Sequence, residues 1–182
     1  MKTEKTVQRW FVFIIIAINI YAFFLCDPFH QNISDIGNAL HHRGYMILWA
    51  SSIAIYLYFY TKQLIKKMKV ESKMETFFLA LCCLGMVASI LIPYDPQHHH
   101  MLANIHIYAS IASTAGYAIV FMHFLSKMFH QNILFFQDAF PKYIIIVLFD
   151  CLYYLLNGVT TLLEASFCIY MSIFLYYLLH KD

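Results

Sequence analysis

The chain is poor in charge: 182 residues hold only twelve basic and ten acidic side chains, 12% together, against 62% hydrophobic residues and a mean hydropathy of +0.64. A soluble domain usually carries about twice that charged fraction, so water is not the solvent for most of this sequence. Five glycines and four prolines leave few breaks between long apolar runs. A net charge of +2, with the lysines gathered in one loop rather than along a face, excludes a nucleic-acid partner. Cys26, Cys82, Cys83, Cys151 and Cys168 lie in or beside apolar blocks and form no spaced framework of disulfides or zinc ligands. No G-x-S-x-G, H-E-x-x-H or H-x-x-x-H element is present, and no internal repeat.

What is there fits an all-α, polytopic membrane protein: a single domain over residues 1–182 with six transmembrane helices. A span needs roughly 20 apolar residues, and the apolar blocks predict helices over about 10–26, 45–60, 77–92, 101–125, 143–156 and 159–179. Lys2, Lys5 and Arg9 before the first block imitate a secretory signal. No small-x-small cleavage site follows, however, and Asp27-Pro28 closes an uncleaved span. Pro93 ends the third span, Asn157-Gly158 turns the fifth into the sixth, and a loop with Lys127, Asp138, Pro141 and Lys142 is expected between the fourth and fifth.

Six spans place eleven of the twelve basic residues, all but Arg43, on one side. The excess of Lys and Arg on cytoplasmic loops then predicts both termini in the cytoplasm, with the plasma membrane as the expected location. The opposite face receives His30, His41, His42, His98, His99 and His100 with Asp27, Asp35 and Asp95.

Ionisable side chains inside a span are costly and mark functional positions, which singles out Asp150, Glu164 and His106. At 1.5 Å per residue, His106 and Glu164 lie on the order of 8 Å from the outer face and Asp150 roughly 10 Å. His99, His106, Ser110, Ser113 and Tyr117 share one stripe of the fourth helix, and the shorter stripes of the fifth and sixth complete an outward-facing polar cavity. Ser110, Ser113, Gly116, Thr160 and Thr161 have packing between helices as their competing reading. Two carboxyls as near as Asp150 and Glu164 would share a proton or need a cation.

Asp95, His98, His99, His100, His41 and His42 carry the donor atoms for zinc or another divalent transition metal, although their spacing specifies no geometry. Haem is argued against, because the second span holds no histidine to face His106 and His123. Ser34 is a candidate nucleophile with Asp35 or a nearby histidine activating it; equally, Ser34 or Asp35 caps a short turn before Gly37.

Asn32-Ile33-Ser34-Asp35-Ile36-Gly37, followed by Arg43, Gly44 and Trp49, resembles the DRAM/Frag/Sfk superfamily of six-helix membrane proteins, whose first extracytoplasmic loop carries an I-S-x-x-G core. His106 and Gly116-Tyr117 in the fourth helix look like that superfamily's as well, and a bacterial group of similar six-helix proteins is matched about as closely. The chain departs from the pattern at Gln31-Asn32 and His41-His42, where family members carry prolines. The resemblance implies a link to lipid or lipid-anchor metabolism.

Two functions compete. In the first, membrane lipids or lipid-anchored molecules are bound or acted on in the cavity, by acyl transfer or hydrolysis with a histidine base and an acid to orient it. In the alternative, a nonenzymatic carrier, sensor or scaffold uses the same groups to hold protons or a metal. The orientation is open to direct measurement. With the native cysteines replaced, a cysteine at Gln97 should react with a membrane-impermeant maleimide added outside intact cells, and reaction only after permeabilisation would invert the topology.

Overall fold

The structure, a computed structural model, describes residues 2–181, with side chains from residue 5; the side chain of Lys2, counted above among the cytoplasmic charges, lies outside the described residues. The described residues form seven helices and no strand: α1 (Lys2–Ala22), α2 (Ile33–Asn38), α3 (Arg43–Lys67), α4 (Lys73–Leu91), α5 (His100–Gln131), α6 (Ile133–Asn157) and α7 (Thr161–His180). Five of them, α1, α4, α5, α6 and α7, are long and apolar enough to cross a bilayer. Their outward faces carry Trp10, Leu84, Ile119, Ile145, Leu155 and Leu156, all largely exposed. Apolar side chains turned out from a packed bundle are what a lipid solvent permits and water does not. The protein is therefore a helical membrane protein.

The sixth long helix is the exception that organises the rest. α3 carries Arg43, Lys62, Lys66 and Lys67 and is too polar to rank with the other five, yet it is buried along a stripe from Met46 through Trp49, Ile53, Tyr56, Leu57 and Tyr60 to Leu64. That stripe packs against α1, α2, α4 and α7. Its polar tips find partners inside the bundle: Trp49 Nε1 donates to Asn19 Oδ1 (3.0 Å), Tyr56 OH to the Ser172 carbonyl (2.9 Å), and Thr61 and Tyr117 share a hydroxyl bond at 2.9 Å. Its other side carries Leu48, Ile55 and Phe59, all exposed, so α3 is packed along one stripe and apolar on the face turned outward.

Helix ends differ from the sequence expectation where side chains cap the backbone. α1 stops at Ala22, before Asp27-Pro28, and the chain turns through residues 23–30. α3 continues past Tyr60, so Lys62, Lys66 and Lys67 sit on helix rather than loop, and Lys67 Nζ reaches the carbonyls of Leu179 (2.9 Å) and Lys181 (2.6 Å). The expected loop with Lys127, Asp138, Pro141 and Lys142 is absent: Asn132 alone separates α5 from α6 and caps the latter by accepting from Phe135 N–H. Pro141 lies within α6, a placement that surrounding helices make tolerable in membranes. Asp138 is held by Lys142, Lys181 and Tyr177. The turn at Asn157-Gly158 stands as expected, and it needs glycine, whose φ there is +72°.

The seam between α4 and α5 is made by small residues: a Cβ on Gly85 would lie 2.3 Å from Ser113 Oγ, and one on Gly116 2.8 Å from Cys82 Sγ. For Ser113 and Gly116 the packing reading therefore holds. Lower on the same seam, Glu75 is buried and paired with Lys127 (2.8 Å) and His123 (3.4 Å), contacts that the sequence did not reveal.

The short α2 was not anticipated as a helix. Ile33 and Ile36 on it are fully buried, each contributing roughly 1.5–3 kcal/mol if taken from water. Gly37 lets it approach α3, since a Cβ there would fall 3.0 Å from Met46 Cβ and nearer still to its sulfur. Gly37→Ala should therefore lower the thermal unfolding midpoint in detergent, by the equivalent of ~1–3 kcal/mol for overpacking. An unchanged midpoint would show that Met46 moves aside freely.

Candidate functional site

At the end of the bundle bearing the 23–42 and 92–99 segments, here called upper, the chain between α1 and α2 is fastened to the start of α7. The first amides of a helix have no partner within it. Here Thr161 N–H donates to the Gln31 carbonyl (2.7 Å) and Leu162 N–H to the Pro28 carbonyl (2.9 Å). Glu164 Oε2 completes the fastening by accepting Ile33 N–H at 2.7 Å. Asn32 then starts α2 through a reciprocal cap: its side chain accepts Asp35 N–H (3.0 Å) while Asp35 accepts Asn32 N–H (2.9 Å). Asp35 therefore takes part in a cap, although the capping residue itself is Asn32 rather than Ser34 or Asp35.

These contacts leave Ser34 buried, with its Oγ 2.7 Å from His106 Nε2 on α5. The other ring nitrogen, Nδ1, lies 3.1 Å from the carbonyl of Ile92. Ile92 is the last residue before Pro93, which cannot continue α4, so its carbonyl is turned out of the helix. A carbonyl only accepts, so Nδ1 carries a proton; in the neutral ring Nε2 is then bare, and the Ser34 hydroxyl donates to it. Tyr94 packs against the imidazole, with ring centroids 5.3 Å apart. The result is a hydroxyl, a base and a fixed tautomer aligned in one row.

The acid expected to orient the histidine is replaced by this backbone carbonyl. Asp35 is occupied by the cap, and Glu164 acts on the backbone next to Ser34. Asp150 and Glu164 do not pair; Asp150 instead receives Ser166 Oγ at 3.5 Å. The six residues read as metal donors do not converge: among the described residues no three His, Cys, Asp or Glu side chains form a group able to hold an ion. His98 folds back on Asp95 (3.0 Å), while His41, His42, His99 and His100 are exposed. Successive histidines on one turn diverge, which is why a run of three supplies no common centre. Backbone N–H from His98 holds Asp95 below the usual carboxylate range, as Phe29 N–H and then His30 do for Asp27.

A cavity of about 530 Å³ opens over the Ser34–His106 pair, walled by Asn32, Tyr94, Ser110, Tyr154 and Glu164 among others. Below it an apolar groove of about 290 Å³ continues between α3, α5, α6 and α7 and includes Asp150. Tyr154 belongs to the polar stripe expected of the fifth helix, whereas Asn32, Tyr94 and the Ile92 carbonyl are site components that sequence reasoning missed. Only Tyr94, flanked by Pro93 and Asp95 in a loop on the histidine-bearing face, carried a usable signal. Compared with known families, curated proteins and solved structures, the chain gives no significant match.

The tautomer is measurable. Nitrogen-15 spectra of imidazole-labelled protein should show His106 with a protonated Nδ1 and a bare Nε2, and Ser34→Ala should shift the Nε2 signal most. A proton on Nε2 at neutral pH would overturn this alignment.

Proposed function

We propose that the chain is a membrane-embedded serine hydrolase or acyltransferase acting on lipid-like acyl esters at the outer leaflet, with α3 as a sixth span beside the five apolar ones and both termini in the cytoplasm. The observation that carries the reading is the Ser34 Oγ to His106 Nε2 contact of 2.7 Å with Nδ1 held by Ile92. A serine is a weak nucleophile until an adjacent base takes its proton, and that base must be kept in one orientation by a third group. The charge asymmetry of the sequence supports the orientation, and the resemblance of the Ile33-Ser34 segment to a superfamily linked with lipid metabolism supports the substrate class.

In this reading Ser34 Oγ attacks the acyl carbonyl carbon as its proton passes to His106 Nε2. The tetrahedral intermediate collapses, the C–O bond to the alcohol breaks, and the same proton goes to the departing alkoxide. Water, or a second alcohol in a transferase, then gives its proton to His106 and attacks the acyl-serine. The bond from the acyl carbon to Oγ breaks, the proton passes from Nε2 to Ser34 Oγ, and acid or new ester leaves. Asn32 and Tyr94, both on the cavity wall, carry donors able to face the oxyanion. Glu164 is a positioning residue that holds Ile33 and hence Ser34. The carrier or sensor alternative draws on Asp150, whose Oδ2 is buried without a hydrogen-bond partner.

Purified protein in detergent should be labelled at Ser34 by a fluorophosphonate probe. His106→Ala should slow labelling and ester hydrolysis by about 10²–10⁴-fold, the usual contribution of a general base, and Ser34→Ala should abolish both. Absence of label, together with unchanged lipid turnover in Ser34→Ala membranes, would leave the nonenzymatic alternative.

A further inference from the structure

The groove below the dyad says what kind of acyl group fits. It is not a separate hollow: Ser110, Ile111, Tyr154, Val159 and Glu164 line both it and the cavity above. Its remaining wall is almost wholly apolar, with Ile53, Leu57, Ala115, Ala118, Val147 and Phe167 facing one another. Thr114 and Asp150 are the polar exceptions, and Asp150 is tied to Ser166 on α7. Among the described residues no Lys or Arg lines either space, so neither offers a cation to a phosphate. Ile111, Ala115, Cys151 and Tyr154 line the space and are nevertheless exposed, which makes the boundary between α5 and α6 a slot open to the side.

The lowest residues of the groove's wall are Leu57, Ala118, Val147 and Cys168. Beneath them Tyr143 OH donates to the Ala118 carbonyl (2.6 Å), and buried Phe121 lies tilted against Tyr143 and edge-on to Phe174, with ring centroids 5.1 and 5.8 Å away, an aromatic floor under the slot. From His106 to Ala118 the helix rises about 18 Å at 1.5 Å per residue. One leaflet's hydrocarbon is roughly 15 Å, half of a 30 Å core.

We infer that a single long acyl chain slides from the bilayer through the slot between α5 and α6 and lies along α5, its carbonyl at Ser34 and its methyl end against Tyr143 and Phe121. The substrate class is then a long-chain acyl ester chosen by its chain rather than by an anionic headgroup. The length of the groove matches the acyl chains of one leaflet, the wall matches hydrocarbon, and the polar end coincides with the reacting pair. This rests on the hydrolase reading for the chemistry, while the chain site itself stands on the shape and lining of the groove.

Two measurements separate the chain site from the chemistry. Against nitrophenyl esters of increasing length, the native protein should favour long chains. Ala118→Phe, at the floor, and Ala115→Phe, on the exposed rim, should lose about tenfold on the longest esters, as filling a packed space with a ring implies, and keep hydrolysis of acetyl and butyryl esters. A variant that hydrolyses all lengths as the native protein does overturns the inference and leaves the Ser34 chemistry standing. Loss of all activity in Ser34→Ala with no hydrolysis change in the groove variants points the same way. In phosphatidylcholine nanodiscs carrying a diazirine at the chain terminus, crosslinks should concentrate on residues 111–118 and 147–154 and be depleted about tenfold in Ala118→Phe. This arm needs no turnover: if no ester is cleaved but the crosslinks appear and are depleted, the hydrolase reading falls and the chain site survives. Crosslinks spread evenly over the outer surface, or unchanged by Ala118→Phe, overturn it.

Discussion

Everything at the upper end depends on two helix-terminal amides that need acceptors. In a medium with little water, an unsatisfied backbone N–H costs several kcal/mol, and the first turn of α7 offers Thr161 and Leu162 to the Gln31 and Pro28 carbonyls. That demand fixes the segment after α1 against α7. Glu164, one turn further on, then grips Ile33, and Ser34 follows into reach of His106. The reactive pair is thus a product of backbone hydrogen-bond accounting. Pro93 plays the matching part on the other side, because a helix it cut short releases the carbonyl that sets the histidine's tautomer.

Helices were legible wherever apolar residues ran without interruption, since a span announces itself by length alone. Their ends were not. Asn132 is one polar residue in a helical stretch, and only its contact with Phe135 N–H reveals a boundary, while Pro141 looks like a stop and is not one. Ser34, His106 and Glu164 were each visible because a hydroxyl, an imidazole and an acid stand out in apolar surroundings. What joins them could not be seen: Ser34 and His106 are 72 positions apart, Ile33 and Glu164 131. An acid orienter and a metal cluster were inferred from residue type alone. Among the described residues Asp35 is instead engaged by the cap beside it and His98 by the turn it shares with Asp95.

The lower end solves a different problem. Glu75 is buried against Lys127 and His123, and Asp138 is enclosed by Lys142, Lys181 and Tyr177. Each acid is matched by a base from a different turn or helix, so these charges tie elements together where α4, α5, α6 and α7 begin or end. Upper acids are spent on backbone, hydroxyl and neighbouring imidazole groups, whereas Glu75 and Asp138 are spent chiefly on lysines. The contrast accounts for a polar cavity at one end and a closed, cross-braced surface at the other.

The aromatic floor of Tyr143, Phe121 and Phe174 divides the bundle into a hollow half and a solid half. In the proposed reading, a voltage across the membrane would drop mainly over that closely packed half. A proton passed between Ser34 and His106 would then move at nearly constant potential, whereas a full crossing is worth about 2.3 kcal/mol per 100 mV. Chemistry so placed would be electrically decoupled from the rest of the bilayer.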